Sequence, residues 1–225
     1  MKFNLDNPFF RLLSKLVDCI YVSFLWLVCS LPIITLGAST SALYYTVHKS
    51  IRGGREYVGR SFFKSFRENF KQATLSWLVV LIVGIVLLLD AIIMRQVMIG
   101  GSAVGAMFYV FLVGILFWVG FCCVLFPYIA RFENTVKQTL INTLLLEIRH
   151  LPWSLLLILI VAVVLVLLWL IPIQILPLVI FMLPAFTFLI FEVILERIFR
   201  RYMSEEDLRR ELEIEELDKL EDSLR

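Results

Sequence analysis

The run from Ala103 to Ala130 constrains this chain most, because it contains no charged side chain over its whole length. The hydrocarbon core of a bilayer is about 30 Å thick, and about 20 apolar residues of helix, rising 1.5 Å each, cross it. Backbone polar groups cannot remain unpaired in lipid, so a span of this kind must be helical. The run therefore predicts a transmembrane helix.

Four other stretches have the length and apolarity of a span. They are Leu16 to Leu36, Ala73 to Met94, Leu151 to Ile171, and Pro177 to about Phe199. Hydrophobic residues make up 60% of the 225 residues, and the mean hydropathy of +0.90 is well above that of soluble globular chains. The sequence predicts an all-α, polytopic membrane helix bundle with five full-length spans.

Lysine and arginine are distributed unequally among the connections. Seven lie between Lys49 and Lys71, and Arg131, Lys137 and Arg149 follow the third span, whereas Arg95 is alone after the second. Because cytoplasmic loops carry the excess of basic residues, both basic connections and the C-terminal tail should be cytoplasmic. We expect a multi-pass protein of the cell membrane.

Two arrangements are possible for the first span. If Leu16 to Leu36 crosses the membrane once, the N-terminal basic residues lie outside. If the chain breaks at Pro32 to Gly37 and returns as a short helix from Ala38 to Ile51, both termini are cytoplasmic and 20 of the 21 Lys and Arg are inside. We favour the returning helix, which at about 21 Å is short of a full crossing and either crosses fully or is re-entrant.

Both long basic connections have helical amphipathic patterns. In residues 60–71 four phenylalanines (Phe62, Phe63, Phe66 and Phe70) fall on one side and four basic residues (Arg60, Lys64, Arg67 and Lys71) on another. In the other connection Phe132, Val136, Leu140, Leu144 and Ile148 recur every four residues. We expect two interfacial helices that rest on lipid headgroups; binding of a partner protein by these faces is the alternative.

The last 24 residues differ from the rest in charge. Residues 202–225 carry four basic and ten acidic side chains, a net of −6, while residues 1–201 have a net of +8. We divide the chain into an integral membrane domain, residues 1–201, and an acidic cytoplasmic tail, residues 202–225. A short irregular stripe is formed by Leu208, Leu212, Leu217, Leu220 and Leu224, so we expect a solvated or loosely docked helix.

Motifs that carry chemistry are not found. There is no phosphate-binding loop, nucleophile elbow or HExxH sequence, and His48 and His150 are single residues with no pair at metal-ligand spacing. We expect no enzymatic activity, no cofactor, no metal and no nucleic-acid partner, since membrane topology explains the basic residues.

Two acidic residues within spans are candidates for an intramembrane polar site. Asp90 lies near the outer end of its span, where a pair with Arg95 is the simpler interpretation. Glu192 lies about 8 to 12 Å before Arg197 to Arg200 on its helix and must find a partner, take up a proton or reach water. We regard Glu192 as the better candidate.

The stretches 25–38 (LWLVCSLPIITLGA), 42–44 (ALY) and 62–72 (FFKSFRENFKQ) resemble the YesL-like family of bacterial membrane proteins. The resemblance extends over roughly Asn7 to Arg201 and leaves out the acidic tail. The family has no established activity, so the resemblance implies no catalytic residue. It implies a role near carbohydrate uptake, because genes of this family often lie beside genes for carbohydrate import and polysaccharide degradation.

Three functions compete on these observations. The first is a non-enzymatic accessory or regulator of carbohydrate uptake that contacts a transporter component through its basic helices or its tail. The second is direct transport of a small solute, which predicts polar groups converging at the middle of the membrane. A membrane enzyme is third, since it requires ionisable residues clustered at one membrane depth. Oligomeric state is not indicated.

Overall fold

The computed structural model describes residues 8–52 and 57–224 of the chain. The helices run in the order α1 (Pro8–Ser30), α2 (Leu36–Thr46), α3 (Val58–Ile99), α4 (Met107–Arg131), α5 (Val136–Arg149), α6 (Leu151–Leu170), α7 (Leu176–Phe199) and α8 (Glu205–Leu224). Short 3₁₀ turns precede α2 and α4, and a π-helical segment, Val47–Arg52, follows α2. The expected all-helical architecture is confirmed for the described residues. Lys2 and Arg55, which entered the topology argument, lie outside them.

Five helices are long and apolar enough to cross a membrane, which confirms the expected number of spans. The qualifying segments are Leu13–Ser30, Val58–Ile99, Ala103–Arg131, Leu151–Leu170 and Leu176–Phe199. Many of their apolar side chains point away from the protein, such as Trp169, which is 84% exposed. Surface of this kind is stable against lipid and would be unfavourable against water.

The chain reverses direction between α1 and α2. Trp26 Nε1 donates a hydrogen bond to Thr40 Oγ1 over 3.2 Å, and the hydroxyls of Ser30 and Ser39 lie 2.6 Å apart. Cys19 and Val22 of α1 share an apolar cluster with residues of α2 and of the π-helical segment. The first span therefore ends at Ser30, and α2 returns beside it as an antiparallel neighbour.

Small side chains place α2 at the centre of the bundle. All of α2 from Gly37 to Tyr44 is buried. A Cβ atom added to Gly37 would lie 2.6 Å from Cβ of Trp77 and 2.7 Å from the carbonyl oxygen of Ala73, so only glycine fits between α2 and α3. Such close approach is how helices pack in lipid, where apolar area alone provides little attraction between them.

The first of the two expected surface helices is not a separate element. Residues 60–71 form the beginning of α3, a continuous helix of 42 residues that also contains the second span. At 1.5 Å per residue α3 is about 63 Å long, roughly twice the thickness of a hydrocarbon core. No Gly or Pro stands between Gly59 and Gly84 to end the helix.

The second expected surface helix, α5, is present as a separate element. It begins with a capping box, in which Thr135 Oγ1 accepts from the backbone N–H of Gln138 and the Gln138 side chain accepts from the backbone N–H of Thr135. Leu144 and Ile148 of the predicted apolar face are 40% and 53% exposed. The residues of α5 that are buried against the protein are Thr139, Thr143, Leu146 and Glu147.

Candidate functional site

Glu192 of α7 is held in an ion-pair network at the end of the bundle where α4 and α7 finish. Its side chain is 1% exposed. Oε1 lies 3.1 Å from Nδ1 of His48, and Oε2 accepts a hydrogen bond from Nη1 of Arg52. Both partners come from the π-helical segment that follows α2. The partners that Glu192 requires are therefore supplied by a helical segment that lies 140 to 144 residues earlier in the chain.

Glu196, one helical turn after Glu192, binds a second set of partners. Its Oε1 accepts a hydrogen bond from the Tyr44 hydroxyl over 3.0 Å, and its Oε2 accepts from Arg131 Nη2 over 3.1 Å. Nε of Arg131 also lies 3.0 Å from Glu196 Oε1. Arg131 is the last residue of α4, so this contact joins the ends of α4 and α7.

Arg131 also reaches the acidic tail. Its Nη2 lies 2.6 Å from Oε1 of Glu211 in α8, and Nε2 of His48 lies 3.8 Å from the same oxygen. Leu212 and Leu217 are 44% and 60% exposed, so these two leucines of α8 contribute little to its attachment. We name the charge cluster as Tyr44, His48, Arg52, Arg131, Glu192, Glu196 and Glu211.

The formal charges of the residues in the charge cluster sum to zero only when His48 is protonated. With His48 neutral, two guanidinium groups face three carboxylates. Burial alone would lower the pKa of His48, but its interactions with Glu192, Glu211 and Glu196 outweigh burial and raise the pKa above its ordinary value. Burial would likewise raise the pKa of Glu211, but its interactions with His48 and Arg131 lower it to about 2. Both shifts favour the charged forms that hold the tail.

The backbone of residues 47–52 contributes to this arrangement. In a π-helix each hydrogen bond joins residues five positions apart; this geometry is rare in proteins and is often found at functional sites. Here it carries both His48 and Arg52, which meet the same carboxylate.

A polar cavity of about 870 Å³ lies beside the charge cluster. Arg131 belongs to the charge cluster and also lines the cavity. Residues of the α4–α5 connection and of α5, together with Tyr202, line it as well. Asn134 Nδ2 and Asn142 Nδ2 both donate to the Tyr128 hydroxyl, over 3.1 and 3.0 Å. Across the cavity, the Arg149 guanidinium lies 5.8 Å from the centre of the Tyr202 ring.

Glu147 of α5 is a further buried acid that lies outside the charge cluster. It is 1% exposed, and its Oε2 has no hydrogen-bond partner among the described residues. Burial raises the pKa of Glu147 to about 8. Its Oε1 lies 2.6 Å from where a Cβ atom on Gly120 of α4 would stand, so glycine makes room for the carboxyl group.

Asp90 takes no part in these networks. It is partly exposed on α3, and no ion pair joins it to Arg95 within the described part of the chain. Five helical residues turn the chain by about 500°, which leaves the two side chains roughly 140° apart on the helix surface. The expected pair with Arg95 is therefore not formed.

The aromatic and basic residues predicted for the membrane interface separate in the structure. The basic residues Arg60, Lys64, Arg67 and Lys71 are all exposed. Phe63 and Phe70 are about 40% exposed, whereas Phe62 is fully buried in a protein core with residues of α1 and α2. Phe66 stacks on Phe62 with ring centres 6.2 Å apart. Part of the predicted lipid-facing set thus packs against protein.

Sequence reasoning found Glu192 but missed most of its surroundings. His48 was interpreted as a lone interface residue, and Arg131 and Glu211 entered only as contributions to charge balance. The signal for Glu147 is a stripe of Thr139, Thr143 and Glu147 at four-residue spacing, about 100° round the helix from the leucines. Among the residues with described side chains, no group of three His, Cys, Asp or Glu is placed to bind a metal ion.

Comparison with known proteins gives one similarity. The sequence profile of DUF624, a family described as a protein of unknown function, matches residues 19–91. The matched region extends from α1 through α2 to the apolar half of α3, and it includes His48 and Arg52 of the charge cluster. No curated protein and no solved structure has significant similarity to the chain. The similarity to DUF624 is consistent with a membrane protein of unknown function.

Proposed function

We propose that this protein is a non-enzymatic accessory or regulator of carbohydrate uptake in a bacterial cell membrane, with both termini in the cytoplasm. The YesL-like resemblance suggests the carbohydrate context, and the positive-inside tendency supports the orientation. The protein acts on a transporter component through its cytoplasmic end, where α8 is attached. The bilayer is its other partner.

The attachment of α8 through Arg131 and Glu211 is the observation that carries this proposal. Arg131 touches both Glu196 of the membrane bundle and Glu211 of the tail. A tail held by a few charged contacts, with its leucines exposed, is suited to exchange between the bundle and a partner. Such contacts are strong enough to set a preferred position and weak enough to be replaced.

Direct transport is the alternative. A carrier binds its substrate near the middle of the membrane, between broken helices. In this protein the paired charges lie near the ends of α4 and α7, since Arg131 ends α4 and Glu196 precedes the end of α7 by three residues. Their position favours a role at the membrane surface.

Uptake measurements in cells test the accessory role. A strain lacking the gene is given a panel of radiolabelled mono- and oligosaccharides, then complemented with the native protein, Glu211→Gln, or Glu213→Gln as a control with an exposed acid on the same helix. We expect uptake of at least one carbohydrate class to change on deletion, and to be restored by native protein and Glu213→Gln but not by Glu211→Gln. Unchanged uptake of every sugar would contradict the proposal.

A second experiment, with the purified protein in liposomes, tests whether the protein transports sugar by itself. We expect liposomes that contain this protein alone to accumulate none of the sugars affected in the strain. Accumulation by the protein alone would show that it is a transporter and would replace the accessory proposal with the alternative.

A further inference from the structure

The polar cavity has the size and lining of a small-molecule site. Its volume of about 870 Å³ lies within the roughly 300–1,000 Å³ of typical ligand pockets. Aromatic and apolar side chains, Phe132, Leu145 and Tyr202, form part of the wall. Most of the remaining lining residues are polar, namely Tyr128, Arg131, Glu133, Asn134, Asn142 and Arg149. A ligand with one polar end and a compact organic part fits such a lining.

The polar lining residues point to an anionic ligand. Two guanidinium groups, of Arg131 and Arg149, line the cavity, and the exposed Glu133 is the one carboxylate in the lining. Arg131 is also paired with Glu196 and Glu211, which are not lining residues, so an anion must share Arg131 with them. Guanidinium groups bind tetrahedral oxyanions through paired N–H donors. Stacking on Tyr202 keeps the Arg149 side chain at the cavity wall.

The Tyr128 hydroxyl provides a further donor. Its oxygen accepts hydrogen bonds from both Asn134 and Asn142, which leaves its own proton to donate. That proton has no acceptor among the described residues. A buried hydroxyl oriented by two amides and lacking an acceptor is suited to an oxygen atom of a bound anion.

Arg131 links this cavity to the tail. The same guanidinium lines the cavity and lies 2.6 Å from Glu211 Oε1. An anion that pairs with Arg131 in the cavity competes with Glu211 for its donors. Because Glu211 approaches through Nη2, an anion at that nitrogen would weaken the hold on α8.

We propose that the cavity beside Arg131 and Arg149 binds a small phosphate ester, and that binding competes with Glu211 and releases α8. The release step rests on the proposed function, in which α8 is the element that contacts a partner. The binding step does not rest on the proposed function. Binding and release can therefore be disproved separately. The phosphate can belong to a soluble ester or to a phospholipid headgroup, since both present the same oxygens to the cavity.

Glycerol phosphate is a probe common to both sources. The full-length protein is placed in nanodiscs of phosphatidylcholine, and binding of radiolabelled glycerol phosphate is measured by equilibrium dialysis at constant ionic strength. We expect saturable binding that Arg149→Gln weakens at least about tenfold. Arg197→Gln, which removes an exposed arginine outside the cavity lining, should bind as the native protein does.

The lipid arm uses nanodiscs that contain phosphatidylglycerol. If the headgroup is the ligand, native protein retains phosphatidylglycerol through purification, Arg149→Gln does not, and the lipid blocks binding of glycerol phosphate. The binding proposal is overturned if neither probe binds saturably, or if Arg149→Gln and Arg197→Gln behave alike.

Hydrogen exchange of α8 tests release in the same samples. We expect saturating probe to accelerate exchange of residues 205–217 in the native protein and to leave it unchanged in Arg149→Gln. Binding without accelerated exchange would overturn the competition with Glu211 while leaving the cavity site intact. Exchange of α8 that is equally slow in the native protein and in a Glu211→Gln sample without probe would instead contradict the proposed function.

Discussion

Glu211 Oε1 lies 2.6 Å from Arg131 Nη2, so a side chain of the acidic tail reaches the last residue of α4. The negative tail and the positive membrane region, which differ so clearly in sequence, meet at this pair. Arg131 has Glu196 as its second partner, and His48 lies near all three carboxylates of the charge cluster. The tail is therefore attached to the buried network that also joins α4, α7 and the π-helical segment.

Changing Glu192 to Gln should lower thermal stability. The substitution removes the charge that Arg52 and His48 face in a buried position, which costs roughly 1–3 kcal/mol. Thermal unfolding in detergent measures the change, with Glu213→Gln as an exposed control. A melting temperature equal to the native value would show that the pairs around Glu192 contribute nothing to stability.

Replacing Gly120 with Ala should also destabilise the protein. The new Cβ would stand 2.6 Å from Glu147 Oε1 and 3.1 Å from Ile158 Cδ1, and overpacking of this kind costs roughly 1–3 kcal/mol. Gly114→Ala is the matched control on the same helix, because its Cβ meets only Leu87 Cδ2 at 3.4 Å. The same loss of stability in both variants would indicate a general effect of alanine on α4 rather than contact with Glu147.

Much of the fold follows from local patterns, whereas the charge cluster does not. Uncharged apolar runs identify the spans, and Pro32 with the small residues after it indicates the reversal before α2. Pairing of Glu192 with His48 joins residues 144 positions apart, which helical periodicity does not encode. In α5 the leucine face predicted to rest on lipid is exposed at Leu144 and Ile148, but the burial of Glu147 depends on Gly120 of α4, which the pattern of α5 does not encode. The continuity of α3 could have been inferred from the lack of a helix breaker after Gly59.

The buried carboxyl group of Glu147 should make stability depend on pH. With a folded pKa of about 8, it keeps its proton while the unfolded chain, with an ordinary pKa near 4.5, loses it. The folded state then binds more protons, so this group's contribution falls as pH rises from about 4.5 to about 8 and is constant above that. We expect Glu147→Gln to remove that contribution.

Melting temperatures measured at pH 5 and pH 8.5 test whether Glu147 makes stability depend on pH. The native protein should lose more stability between the two values than Glu147→Gln does, while the exposed-acid control Glu133→Gln should follow the native protein. Since His48 also titrates in this pH range, the relevant quantity is the difference in pH dependence between the variants. Identical pH dependence in Glu147→Gln and native protein would contradict the assignment.

Both termini should be cytoplasmic. Antiparallel packing of α1 and α2 brings the chain back across the bundle, and this arrangement leaves Arg95 as the single basic residue outside. Reporter fusions with compartment-specific activity, one at each end, measure the orientation. An N-terminal reporter active only outside would rule out the returning-helix topology.

Hydrogen exchange of α8 tests the central claim most directly, namely that Glu211 ties the tail to the membrane bundle. An isolated helix of 20 residues is only marginally stable in water, so its protection depends on docking. In nanodiscs at pH 7, peptides from residues 205–217 should exchange about tenfold faster in Glu211→Gln than in the native protein, and Glu213→Gln should match the native rate. Equal rates in all three proteins would contradict the account.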